Sequence, residues 1–281
     1  MSNNNQSQGI IWMLIFCLAA VIADAVVRYL TIADIPAAML MFIRSVVGAL
    51  ILLPIIIKRR SLSVPRKILK LHFVRTIFIF INILIWFHII KYVELTSLIA
   101  IGFTSPLFAT ILAILFLGEK YSHIKIASLL IGFSGAMVVI NPFGINFNIY
   151  LLFAILASLA WAISLIYAKR LADKQTPIEI AFFVSLFLIP LTFTLAVPFW
   201  YWPKGMEWFY IMIYIISATI AFIAMGKAFE KSEISLLLPF EYSQLIFAAI
   251  FSYIIFSEIA TFNTLLGGAI ILASGYLIIR A

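Results

Sequence analysis

Charge is what this sequence has least of. Only 11% of its 281 residues are Asp, Glu, Lys or Arg, against about 25% in an ordinary soluble domain. Too few charges remain to cover a water-facing surface, and hydrophobic residues make up 65% of the chain. Cysteine occurs once, at Cys17, which excludes a disulfide within the chain and reads as a small apolar filler. No G-x-x-x-x-G-K-[ST] loop is present, so ATP is not bound through that motif. No lysine falls in the middle of an apolar run, where a Schiff base would need it, and no D-x-x-x-D pair marks a diphosphate-handling enzyme. Cysteine and histidine do not cluster as metal ligands. His72, His88 and His123 fall near the ends of apolar runs and read as interfacial or solvated. No catalytic residue, metal or cofactor is therefore expected. The net charge of +8 carries no nucleic-acid signal here, because in so apolar a chain basic residues report which loops face the cytoplasm.

What is abundant is long apolar sequence. About 20 apolar residues cross a hydrocarbon core of about 30 Å, and ten such runs can be drawn: Gly9–Leu30, Pro36–Ile57, Leu71–Ile90, Ser97–Leu117, Ile124–Ile140, Ile149–Leu171, Ile178–Phe199, Phe209–Phe229, Ser235–Phe256 and Asn263–Ile279. Lipid offers no partner to backbone polar groups, so each must be a helix. Ser2–Gln8 is polar and uncharged, with no basic stretch or cleavage site of a signal peptide, so the first run is expected to stay as a span. The expected fold class is an all-α integral membrane protein of ten transmembrane helices.

The two halves echo each other. Lys91–Ile140 and Lys227–Ile279 each have a charged turn, an apolar helix interrupted early by proline (Pro106, Pro239), a small residue plus Glu (Gly118-Glu119, Ser257-Glu258) and a glycine-bearing helix. Five spans in each half would make the halves face opposite ways, the plan of inverted-repeat transporters. The expected units are residues 1–140 and 141–281, each a five-helix repeat. Orientation comes from Lys and Arg. With the N-terminus inside, the inner loops and C-terminus carry Lys58, Arg59, Arg60, Arg66, Lys67, Lys70, Lys120, Lys125, Lys169, Arg170, Lys174, Lys227, Lys231 and Arg280, and the outer loops only Lys91 and Lys204. That bias puts both termini in the cytoplasm. Trp200, Tyr201, Trp202 and Trp208 crowd one outer loop as an interfacial belt.

Ionisable groups at membrane depth are costly and face a cavity or a partner. Asp24 and Arg28 are four apart on the first helix, hence on one face. They read either as a self-neutralising pair or as a pathway acid with Arg28 reaching for the interface. Arg44, deep in the second helix, reads either as the buried partner of a carboxylate or as a docking charge for one. Arg75 lies near the inner end of its span, where snorkelling explains it. Glu241 follows Pro239, whose missing N–H frees a carbonyl and disturbs the helix. The run Pro239-Phe240-Glu241-Tyr242-Ser243-Gln244 thus carries a carboxylate, a phenol, a hydroxyl and an amide, echoed by Gly102-Phe103-Thr104-Ser105-Pro106. Interrupted helices at matching places in two halves point to the binding site. Candidate substrate-binding residues are Glu241, Tyr242, Gln244, Ser105, Phe103, Asp24, Arg44, Asn82 and Trp161, with Trp86 and Tyr167 as further aromatics.

Ser105-Pro106-Leu107-Phe108 leading to Leu117-Gly118-Glu119, and Pro239-Phe240-Glu241-Tyr242 leading to Phe256-Ser257-Glu258, carry a resemblance. Over essentially its whole length the chain resembles the EamA-type members of the drug/metabolite transporter superfamily. That resemblance implies a secondary transporter of the cytoplasmic membrane with a central cavity between its repeats, whose partners are a small-molecule substrate and lipid. The chain is also similar to S-adenosylmethionine uptake carriers. This implies a charged metabolite held by Glu241 or Asp24 at its cationic groups, by Arg44 at its carboxylate, and by aromatic rings. An exporter of amino acids or drugs, and a membrane-embedded enzyme or a scaffold without flux, are the alternatives.

Overall fold

A computed structural model describes residues 3–61, 63–90, 102, 104–120, 122–140, 149–257 and 262–279. Its elements are helical: α1 (Asn3–Ile32), α2 (Ala37–Lys58), α3 (Arg66–Ile89), α4 (Thr104–Leu117), α5 (His123–Ile140), α6 (Ile149–Ala172), α7 (Pro177–Ala196), α8 (Glu207–Lys231), α9 (Ile234–Glu241), α10 (Gln244–Phe256) and α11 (Phe262–Ile279). A single 3₁₀ turn, Val197–Phe199, extends α7. Among the described residues, seven helical runs are long and apolar enough to cross a membrane, α9 and α10 counting together as Ile234–Phe256. Their outer faces carry large apolar side chains such as Ile11, Leu50 and Ile254, the surface a bilayer requires. The protein is a multi-pass membrane protein.

Local chemistry sets the helix ends. Thr176 and Glu179 form a capping box at the start of α7, where Pro177 follows the cap. Pro106 falls in the first turn of α4, where its missing N–H costs nothing. Residues 97–101 and 103 of the expected fourth span, Phe103 among them, lie outside the described residues. Both interrupted spans end the same way, on a left-handed residue: Gly118 at φ 69° after α4 and Ser257 at φ 57° after α10. Nothing crowds Gly118, so the reversal itself explains the glycine there.

The break within Ile234–Phe256 is real backbone geometry. α9 stops at Glu241, and the chain passes through tight bonds from Ser243 N to the Phe240 carbonyl (3.0 Å) and from Leu245 N to the Tyr242 carbonyl (3.0 Å) before α10 begins. Cys17 on α1 donates its thiol to the Phe240 carbonyl at 3.6 Å. It is more than the apolar filler expected, since the break leaves carbonyls in need of donors.

Helices pack in a fixed scheme. α1 lies along α8, α3 along α6, α2 along α7 and α5 along α11, while α4 meets α6 and α1 meets α9 and α10. The α5–α11 contact is close: a Cβ on Gly135 would stand 2.9 Å from the Gly267 carbonyl, and Ser128 donates to the Ser274 carbonyl at 2.6 Å. Small residues at such a crossing let two backbones approach within lipid.

One end of the bundle carries the basic loops, the other Trp200, Trp202 and Trp208. At the basic end, Glu119 accepts from Ile234 N (2.9 Å) and Ser235 N (3.1 Å), capping α9 from the turn after α4. Lys125 of α5 pairs with Glu233 and donates to Ser235 at 3.0 Å. Lys169 of α6 donates to the Ser232 carbonyl (3.0 Å) at the end of α8, and Arg170 to the Phe116 carbonyl (3.0 Å) at the end of α4. These bonds tie α4, α5, α6, α8 and α9 to one another at this end. At the other end Trp202 and Trp208 meet edge to face at 5.5 Å, and Tyr201 donates to Glu207 at 2.8 Å; that donated bond pushes the exposed phenol's pKa up.

Candidate functional site

A cavity of about 170 Å³ lies among α1, α2, α3, α4, α6, α8, α9 and α10, room for several waters or a solute group. α1 contributes Phe16, Ala20, Ala23 and Asp24, a spacing that keeps one helical face toward it. Arg44 enters from α2, Asn82 and Trp86 from α3, Ser105 from α4, Ser158 and Trp161 from α6. Tyr214, Ala218, Ala221 and Phe222 share one face of α8, and Glu241 and Gln244 flank the break. Two carboxylates, one guanidinium and several aromatic rings thus face the same space.

One acid is held by an indole: Trp161 Nε1 donates to Glu241 Oε1 at 3.3 Å. Trp86 and Asp24 line the same cavity. Glu241 is 5% exposed, and among the described residues its Oε2 has no partner; nor does the buried Ser105 hydroxyl beside the cavity. Buried polar atoms are seldom left so, and both atoms belong to residues that line this cavity. Arg44 lies over the Phe222 ring, 4.8 Å from its centroid. Tyr214 faces the same cavity as Arg44 and Asp24. Asn82 donates to the Ala157 carbonyl at 2.9 Å, which ties α3 to α6 at the cavity wall.

Of the sequence candidates, Glu241, Gln244, Ser105, Asp24, Arg44, Asn82 and Trp161 line this cavity. Tyr242 is placed elsewhere: fully buried, it donates to the Leu129 carbonyl at 3.2 Å, and its ring fills the groove at Gly132. A break in the helix turns adjacent side chains apart, so Glu241 and Tyr242 serve different spaces. Phe103 lies outside the described residues. Tyr167 stacks on Phe78 instead, at 6.4 Å. Arg28 lies over the Phe256 ring at 4.4 Å, while its helical neighbour Asp24 lines the cavity. Two expectations are corrected. Arg75 does not snorkel; it is 0% exposed, turned inward toward Phe222. His72 is not solvated; it is buried against Phe183 with a bond to Gln175. In both cases the inward face of α3 prevails over nearness to the span end. Phe222, Tyr214 and Ser158 were missed, since one ring among 26 phenylalanines and 11 tyrosines carries no signal of its own.

Comparison with known proteins agrees with this architecture. Residues 7–141 and again 148–280 match the EamA-like transporter family. A riboflavin transporter of Vibrio cholerae is 29% identical over 95% of this chain and 91% of its own. An S-adenosylmethionine uptake transporter of Rickettsia felis is 26% identical over 96% of this chain and 92% of its own. A pseudopaline exporter of Pseudomonas aeruginosa is 23% identical over 86% of each. A solved crystal structure superposes with a TM-score of 0.78 at 17% identity, covering 99% of this chain and 96% of its own. The chain belongs to the EamA-like transporter family. Its class is transport and not enzymatic catalysis.

Proposed function

We propose that this protein is a secondary transporter of a bacterial cytoplasmic membrane, with both termini in the cytoplasm, that takes up S-adenosylmethionine by alternating access. The observation that carries the substrate is the charge set of the cavity: Asp24 and Glu241 with Arg44, between Trp86, Trp161 and Phe222. S-adenosylmethionine has a sulfonium and an ammonium for the carboxylates, a carboxylate for the guanidinium, and an adenine for the rings. Riboflavin, the substrate named for one relative, suits the rings but has no cation to balance two acids.

The mechanism we propose is the rocking of two inverted five-helix repeats, residues 1–140 and 141–281, ten spans in all. The packing scheme supports it. Exchange the halves, so that α1 to α5 become α6, α7, α8, α9 with α10, and α11. The α1–α8 contact then becomes the α6–α3 contact, and α4–α6 becomes α1 with α9 and α10, while α2–α7 and α5–α11 map onto themselves. The matched left-handed ends at Gly118 and Ser257 support it too. With the basic end cytoplasmic, the ties through Glu119, Lys125 and Lys169 close the inner side of the pathway. They must open for release.

The test is uptake of labelled S-adenosylmethionine into proteoliposomes, empty or loaded with its demethylated product. Saturable uptake, faster against trans-loaded product, is the expected result. Wild-type uptake equal to that of empty liposomes would remove this substrate, leaving the exporter of amino acids or drugs as the reading to test next.

A further inference from the structure

Arg75 is the most anomalous charge in the molecule. It is 0% exposed, and among the described residues none of its three guanidinium nitrogens has a hydrogen-bond partner. An unpaired buried charge is among the costliest arrangements a protein can hold, and ionisable groups at membrane depth mark functional sites. Position adds a second observation. Arg75 precedes Asn82 by seven residues and Trp86 by eleven on α3. At about 100° per residue, those separations put all three within about 20° of one line along the helix. Asn82 and Trp86 line the cavity, and Arg75 lies about 10 Å further toward the basic end on the same line. Phe222 lines the cavity, and both arginines approach its ring: Arg44 stands 4.8 Å from the centroid and Arg75 5.7 Å.

We infer that Arg75 is a second anion-docking site, for a carboxylate group of the substrate in transit, and that Phe222 is the septum dividing it from the cavity. Arg44 holds the carboxylate while the basic end is tied shut. When those ties open, Phe222 swings aside and the carboxylate passes to the fork of N–H donors on Arg75. The bare guanidinium is then the empty half of a pair that forms only during the cycle. This rests on the reading of the cavity as the transport site. It goes beyond it in assigning a residue that the cavity does not contain.

The experiment compares wild type, Arg75→Met and Arg75→Lys as purified full-length protein. Three quantities are read: thermal midpoint, equilibrium binding of labelled S-adenosylmethionine, and its exchange rate in proteoliposomes. For Arg75→Met the expected results are a midpoint no lower than wild type, binding within twofold, and exchange slowed at least tenfold. Arg75→Lys, which keeps the charge without the fork, should fall between. A lowered midpoint for Arg75→Met would show a structural job and overturn the inference. So would unchanged exchange. Loss of binding together with exchange would place Arg75 in the central site and overturn a separate station. If wild type neither binds nor exchanges S-adenosylmethionine, the substrate reading fails by itself. The midpoints then decide alone: a rise on removing the charge supports the station, and a fall overturns it.

Discussion

Replacing Glu241 by Gln is the sharpest perturbation of the proposed site. The two side chains have the same shape, and Gln keeps an oxygen where Trp161 Nε1 now donates at 3.3 Å, so the break between α9 and α10 should hold. What disappears is the negative charge, and with it the acceptor Oε2 that has no partner among the described residues. A hydrogen bond to a charged group contributes about 1.5–3 kcal/mol, and about 1.4 kcal/mol corresponds to a tenfold change in affinity. The expected loss is therefore about 10- to 100-fold in the affinity for S-adenosylmethionine, read as the rise in half-saturating concentration for proteoliposome uptake. The thermal midpoint should not fall below the wild-type value, because packing is kept and a buried, partly unpartnered charge is removed. If half-saturation for Glu241→Gln lies within twofold of wild type while wild type transports well, the carboxylate does not hold the cationic groups. The reasoning from unpartnered Oε2 to substrate would then be wrong.

Glu119→Ala removes both acceptors that cap α9 at the basic end. A lost cap costs about 0.5–2 kcal/mol, which should shift the pathway toward its inner-open form by about 2- to 30-fold. Labelling of a thiol placed by Ser232→Cys in a Cys17→Ala background should speed up accordingly, and an unchanged rate would deny Glu119 a part in closing that end. Gly132→Ala would set a Cβ 2.4 Å from the Tyr242 ring and 2.9 Å from Ser274 Oγ. Overpacking of this kind costs about 1–3 kcal/mol, a fall of about 2–12 °C in thermal midpoint at about 2–4 °C per kcal/mol. A midpoint equal to wild type would mean that α5 and the break are not held by this contact.

Composition and its arrangement in runs determined that the chain lives in a membrane and is helical. With 65% hydrophobic residues and 11% charged ones, drawn into unbroken apolar runs rather than the alternating pattern of barrel strands, the helix is what satisfies its backbone polar groups in lipid. The position of the break was legible for a similarly local reason, since proline removes a donor wherever it falls. The few polar residues inside apolar runs were legible as cavity candidates, because lipid forbids them an outward face. Asp24, Arg44, Asn82, Ser105 and Gln244 line the cavity on that account. Tertiary structure decided the rest. Whether Tyr242 accompanies Glu241 or packs against Gly132 depends on how the chain turns at the break. Whether Arg75 reaches the interface or is turned inward toward Phe222 depends on which way α3 is rotated against its neighbours. Neither is written in residue type or spacing. In a chain whose helices are apolar on every side, hydrophobicity cannot set a helix's rotation; only the fit of side chains across the helix contacts does.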